Sequence, residues 1–193
     1  MKLSKKEINQ FYNELKEKAA LSGYKSVGNS LYRFSNNNTV SVDYLIIDND
    51  TLHYRISLKK RSYDDYFWDI MQMPENKDGK ETLRIEGAFA SPSLCLKSDD
   101  IAIESNSDVI KSFIDEVNKL VDEFLEKNED VSRYIIANQD EINDDILTSL
   151  AYIDLDQLYL AKDLAITEIE DDEIGWFENK GKGYFEWLLE YHD

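Results

Sequence analysis

A chain of 193 residues, 42% hydrophobic and 32% charged, is long enough to bury the core of one or two globular domains. Seven glycines and two prolines exclude collagen-like and linker-type chains, and the longest apolar runs, such as Tyr44–Ile47, fall far short of the roughly 18 residues of a membrane span. The net charge of −18 lies mostly downstream: residues 1–62 hold 11 Lys/Arg against 6 Asp/Glu, 63–128 hold 7 against 16, and 129–193 hold 4 against 18, a field that repels phosphate backbones and anionic headgroups.

Met1–Gln10 is charged and amphipathic and lacks the apolar stretch of a secretory signal, so a cytoplasmic protein is expected. Ser4 and Glu7 form a capping box, after which Ile8, Phe11, Tyr12, Leu15 and Ala19 recur at helical spacing up to a stop at Gly23. Strands follow at Leu31–Phe34, Thr39–Ile47 and Thr51–Lys60. The Asn36-Asn37-Asn38 and Asp48-Asn49-Asp50 turns between them tolerate left-handed backbone and so predict antiparallel hairpins. In the third strand Leu52, Tyr54, Ile56 and Leu58 alternate with Thr51, His53, Arg55, Ser57 and Lys59, which gives one wet face.

Ser62–Met73 breaks that alternation and reads as a short helix or a lid-like loop, Leu83–Ala90 as a fourth strand with Leu83, Ile85 and Phe89 inward, and Leu94–Ile103 as an edge strand. From Ser107 the period becomes 3.6, with Val109, Ile110, Phe113, Ile114, Val117, Leu120, Val121, Phe124 and Leu125 on one face. Asn138 with Glu141, and then Asp154, read as caps of shorter helices carrying Ile142, Ile146, Leu147 and Leu150, then Leu155, Leu158, Tyr159 and Leu164. The acidic run Glu168–Glu173 reads as an exposed loop or linker. After Trp176 and Phe177, Lys180-Gly181-Lys182-Gly183 leads into a helical face of Tyr184, Trp187, Leu188 and Tyr191.

This order predicts an α+β fold: an N-terminal helix, an antiparallel sheet of four to five strands, a long amphipathic helix and a helical C-terminal third. Residues 1–128 are read as a helix-sheet-helix unit. Residues 129–193 are read as an acidic helical extension packed on it as one body, because a helical piece of that size is marginal alone.

Metal and cofactor chemistry finds no support, so no cofactor is expected. The two histidines, His53 and His192, lie at opposite ends of the chain, and neither HExxH nor CxxC occurs. A calcium loop with Gly79 at its sixth position would place Pro74 first and Ile85 last, neither a ligand. The single Cys95 allows no intramolecular disulfide, which suits a reducing compartment, and its Leu94 and Leu96 flanks make it a small strand hydrophobe. GxSxG, P-loop and GxGxxG patterns are missing, and no catalytic residue is assigned.

Two surfaces stand out. The polar sheet face would align Asp43, His53, Arg55, Arg84 and Glu86, which suits acid–base work in a pocket between sheet and helices, although any half-exposed sheet yields the same alternation. The segment Tyr63-Asp64-Asp65-Tyr66-Phe67-Trp68-Asp69 mixes rings with carboxylates. With Glu170, Asp171, Asp172 and Glu173 it forms the partner-binding candidate, the competing reading being that the rings close the core.

Ser4-Lys5-Lys6-Glu7, Gly23-Tyr24-Lys25, Gly28-Asn29 and Leu31-Tyr32-Arg33-Phe34 resemble the start of a bacterial family of small domains of unknown function, with Leu31 in place of the family's first aromatic residue. The resemblance covers residues 4–60. It implies a helix-plus-sheet fold and a bacterial origin, and it carries no catalytic residues to transfer.

The function expected from charge and aromatics is a non-catalytic cytoplasmic binding protein that meets a basic protein partner through an acidic, aromatic surface, as an immunity-type inhibitor meets a toxin. No nucleic acid or membrane is expected as partner. The alternative is a small enzyme or ligand-binding domain whose pocket uses His53, Arg55, Arg84 and Glu86.

Overall fold

Ser4 and Glu7 start the fold as their spacing predicts: the Glu7 carboxylate accepts the Ser4 amide at 2.7 Å, and the Ser4 hydroxyl caps the first turn of α1 (Lys5–Leu21). The helix stops where Gly23 turns left-handed, at φ +82°. The computed structural model describes residues 2–103 and 109–192. The chain is α+β and divides into two compact units, Met1–Leu58 with Cys95–Lys127 and Lys59–Leu94 with Asn128–Asp193.

The first unit holds α1, a sheet and a long helix. The antiparallel sheet runs in sequence order through β1 (Lys25–Val27), β2 (Ser30–Ser35), β3 (Asn38–Ile47), β4 (Thr51–Lys60) and β5 (Leu94–Ala102). Asn36 and Asn37 both take positive φ, which matches the right-handed twist of the β2–β3 hairpin and sets the Ser35↔Asn38 to Ser30↔Asp43 register. The short β1, not foreseen in the sequence, pairs Lys25 with Tyr32.

The long helix α4 (Val109–Lys127) buries Ile110, Phe113, Ile114, Val117 and Val121; its expected start at Ser107 lies outside the described residues. Phe113 meets Tyr54 of β4 edge to face at 4.9 Å, Tyr12 of α1 packs on Tyr44 of β3, and the Tyr12 hydroxyl accepts the Ile46 amide.

The second unit is helical. It comprises α2 (Arg61–Ile70), a 3-10 turn at Pro74–Asp78, α3 (Leu83–Glu86), α5 (Val131–Ala137), α6 (Gln139–Ile142), α7 (Asp145–Asp154), α8 (Leu158–Glu170), a minimal hairpin of β6 (Glu178–Asn179) and β7 (Lys182–Gly183), and α9 (Tyr184–Glu190). Its core stacks Phe67 of α2 on Tyr184 of α9 at 5.3 Å, with Phe177 edge-on to Phe67 at 4.7 Å. Segment 59–94 thus packs with 128–193. By composition this unit holds 10 Lys/Arg against 25 Asp/Glu, whereas the first holds 12 against 15.

Three sequence expectations are corrected here. Leu83–Ala90 is not a strand: Thr82 and Leu83 accept helical hydrogen bonds, and Gly87 closes so tightly that a Cβ there would lie 2.2 Å from the Leu83 carbonyl oxygen. Asn138 donates its side-chain amide to Tyr134 at the end of α5, and the cap of α7 is Asp144, whose carboxylate accepts the Leu147 amide at 2.9 Å. Asp154 ends α7 and serves three distant donors instead of capping α8.

Phe113→Ala removes a buried ring and its edge contact, and is expected to lower unfolding free energy by about 3–5 kcal/mol in urea titration.

Candidate functional site

The aromatic–acidic segment folds as α2, and its spacing turns Tyr63, Asp64, Phe67, Trp68 and Ile70 inward. The rings Tyr63 and Trp68 therefore close a core and are not on the surface, while Asp65 and Tyr66 are half-buried. Asp64 is fully buried. One of its oxygens accepts Lys59 Nζ at 2.7 Å and the Ser91 amide and hydroxyl at 3.0 and 2.9 Å; the other faces Arg84 at 3.7 Å without a hydrogen bond. Burial pulls the Lys59 ammonium below the ordinary lysine range, against the opposing pull of Asp64. Arg84 also donates to Asp65 and to the Arg61 carbonyl, and its guanidinium lies over the Trp68 ring at 4.7 Å.

Beside it, Lys60 bridges Asp130 and Asp154 at 2.7 and 2.6 Å, Ser62 and Ser132 donate to Asp154, and Tyr63 reaches the Ser132 hydroxyl at 2.9 Å. Burial pushes the Tyr63 phenol well above the usual tyrosine range. Every group in these two clusters is enclosed or paired, so their charges are spent on one another.

The proposed polar sheet face does not form as expected, because Arg84 and Glu86 sit on α3 and no strand carries them. Ser57 and Lys59, expected in water, are buried. His53 pairs with Asp100 of β5 at 2.7 Å on an exposed surface, Arg55 and Asp43 are exposed, and so is Cys95 on β5.

A cleft of about 550 Å³ in the second unit has a different character. Its walls come from the start of α7, the end of α8, the turn after it and α9, and they carry four carboxylates, Asp144, Asp145, Glu168 and Glu173, with three rings, Trp176, Phe177 and Phe185; none of the lining residues is basic. Asp144 is committed as the α7 cap. Asp145 suits the positive end of α7, but Glu168 sits in the last turn of α8, where the helix dipole disfavours an anion and no basic residue answers it. Burial first, then Asp145, Asp171 and Glu173, raise the Glu168 carboxyl above the ordinary glutamate range.

Gly175, at φ +85°, lets the chain reverse against Tyr184, where a Cβ would come within 2.9 Å of the Tyr184 Cβ. Phe177 then turns into the core and Trp176 into solvent, 94% exposed. Of the expected partner-binding residues, Glu170, Asp171, Asp172 and Glu173 are exposed and Glu173 lines this cleft. Sequence reasoning missed Trp176, Asp145 and Glu168 as site residues. The available signal was a tryptophan next to glycine, directly after an acidic run and outside any helical period.

Among the described residues no group of three His, Cys, Asp or Glu side chains is arranged to hold a metal ion, and no helix is long and apolar enough to cross a membrane. No family model, curated protein or solved structure matches the chain.

Asp64→Ala strands a buried ammonium and is expected to cost about 3–5 kcal/mol in denaturant unfolding, whereas the joint Lys59→Met and Asp64→Leu change recovers most of that loss. Glu168 binds its proton more tightly folded than unfolded, so its ionisation lowers stability as pH rises above 4.5. Glu168→Gln should therefore melt at higher temperature than the parent at pH 7, with the gap closing as pH falls toward 4.5.

Proposed function

We propose that the protein is a non-catalytic, cytoplasmic binding protein of bacterial type whose second unit meets a basic protein partner, in the manner of an immunity-type inhibitor. The observation that carries this reading is the cleft: uncompensated carboxylates beside an exposed tryptophan, in a unit with 10 basic residues against 25 acidic ones. Complementary charge speeds encounter and excludes acidic competitors, and a desolvated aromatic side chain supplies affinity once contact is made. The same field disfavours nucleic acid and anionic membrane. The polar sheet face supports no comparable reading, since its residues are divided between two strands and a short helix.

Capture on the tagged protein from its own lysate is expected to retain one basic protein that elutes as salt rises, and the double charge reversal Glu168→Lys with Glu173→Lys is expected to abolish retention. Retention unchanged by the reversal would contradict the reading.

A further inference from the structure

The walls of the cleft differ in what they leave available. Phe185 is buried, and Phe177 is half-buried with its ring packed against Phe67 and Phe89, so both rings serve the core. Among the described residues, the side chains of Asp145, Glu168, Glu173 and Trp176 make no hydrogen bond or ion pair with the protein. The cleft thus offers one free indole face and three carboxylates without a cation.

We infer that this cleft seats an arginine side chain of the partner, its guanidinium stacked on Trp176 and facing the carboxylates of Asp145, Glu168 and Glu173. This rests on the basic-partner reading and specifies the side chain that reads the site.

Charge complementarity alone admits any cation, and the aromatic wall narrows the choice. A lysine ammonium is a compact, strongly hydrated point charge that an open cleft leaves in water. A guanidinium is planar and weakly hydrated; it stacks on an indole and grips a carboxylate through two parallel N–H donors. A quaternary ammonium needs a cage of several ring faces, and of the three rings of this cleft only Trp176 is exposed. A metal ion is disfavoured by the arrangement of the carboxylates, which among the described residues form no metal-binding group. A surface built only for solubility has no use for an indole that is 94% exposed.

The test uses the full chain and two synthetic peptides of equal length and charge, one with three arginines spaced by Gly-Ser and one with lysine in their place. Binding is followed by tryptophan fluorescence and by acrylamide quenching. Trp176→Phe identifies the Trp176 signal against Trp68 and Trp187, and Trp176→Ala removes the stacking surface from an exposed turn. The arginine peptide is expected to bind roughly tenfold more tightly than the lysine peptide and to shield Trp176 from acrylamide. Trp176→Ala should erase that preference, and Glu168→Gln with Glu173→Gln should weaken both peptides.

Equal affinity for the two peptides would overturn the arginine assignment and leave the basic-partner reading standing. An arginine preference that survives Trp176→Ala would place the contact elsewhere and overturn the assignment in the same limited way. Absence of binding by either peptide at low salt would overturn both.

Discussion

An ionised carboxylate removed from water survives only if its charge and lone pairs are answered nearby, and in this protein that demand falls on Asp64. The answer comes from three separate stretches of the second unit. Lys59 arrives at the end of β4, Ser91 offers an amide and a hydroxyl, and Arg84 approaches from α3. The last residues of β4, Ser57 to Lys59, can therefore be buried on both faces, α2 can start directly after Lys60, and segment 83–91 is held against α2. Trp68 completes the enclosure by donating its indole N–H to the Phe89 carbonyl while Arg84 covers its ring.

The same arrangement explains why the outer surface of this unit stays acidic. Lys59, Lys60 and Arg84 are committed to the interior clusters, Lys77 and Lys182 to Asp69 and Glu190, Arg61 to Glu81, and Lys162 to the Leu189 carbonyl. Few of the unit's ten cations are left to face its 25 carboxylates. The field around Asp145, Glu168 and Glu173 is thus a consequence of how the interior is neutralised, as well as of composition.

Locally encoded features were legible in the sequence. The Ser4–Glu7 box, the Asn36-Asn37 turn and the alternation of Leu52, Tyr54 and Ile56 depend on residues within a few positions of each other, so spacing alone specifies them. Features set by distant partners were not. Lys59 continues the polar side of the β4 alternation, and nothing adjacent shows that Asp64 and Ser91 will enclose it. Four residues at Leu83–Glu86 fit either one helical turn or the start of a strand, and contacts made by Arg84 with α2 accompany the helical outcome. Asp154 has the local context of a cap, yet its oxygens go to Lys60, Ser62 and Ser132. The acidic half of the cleft was visible at Glu173, but its aromatic half depends on the reversal at Gly175, which only the packing against Tyr184 reveals.

The interleaving of the two units along the chain bears on how the protein is made. During synthesis the segments of the first unit have all emerged once Lys127 is out, and domains fold as units in the order their parts become available. Residues 59–94 emerge earlier, yet the rings that cover Phe67 come from Phe177 and Tyr184, at the far end of the second segment. Phe67 must therefore wait on the ribosome with Phe177 and Tyr184 untranslated. The ring of Phe67 stays without its native cover until almost the whole chain has been made.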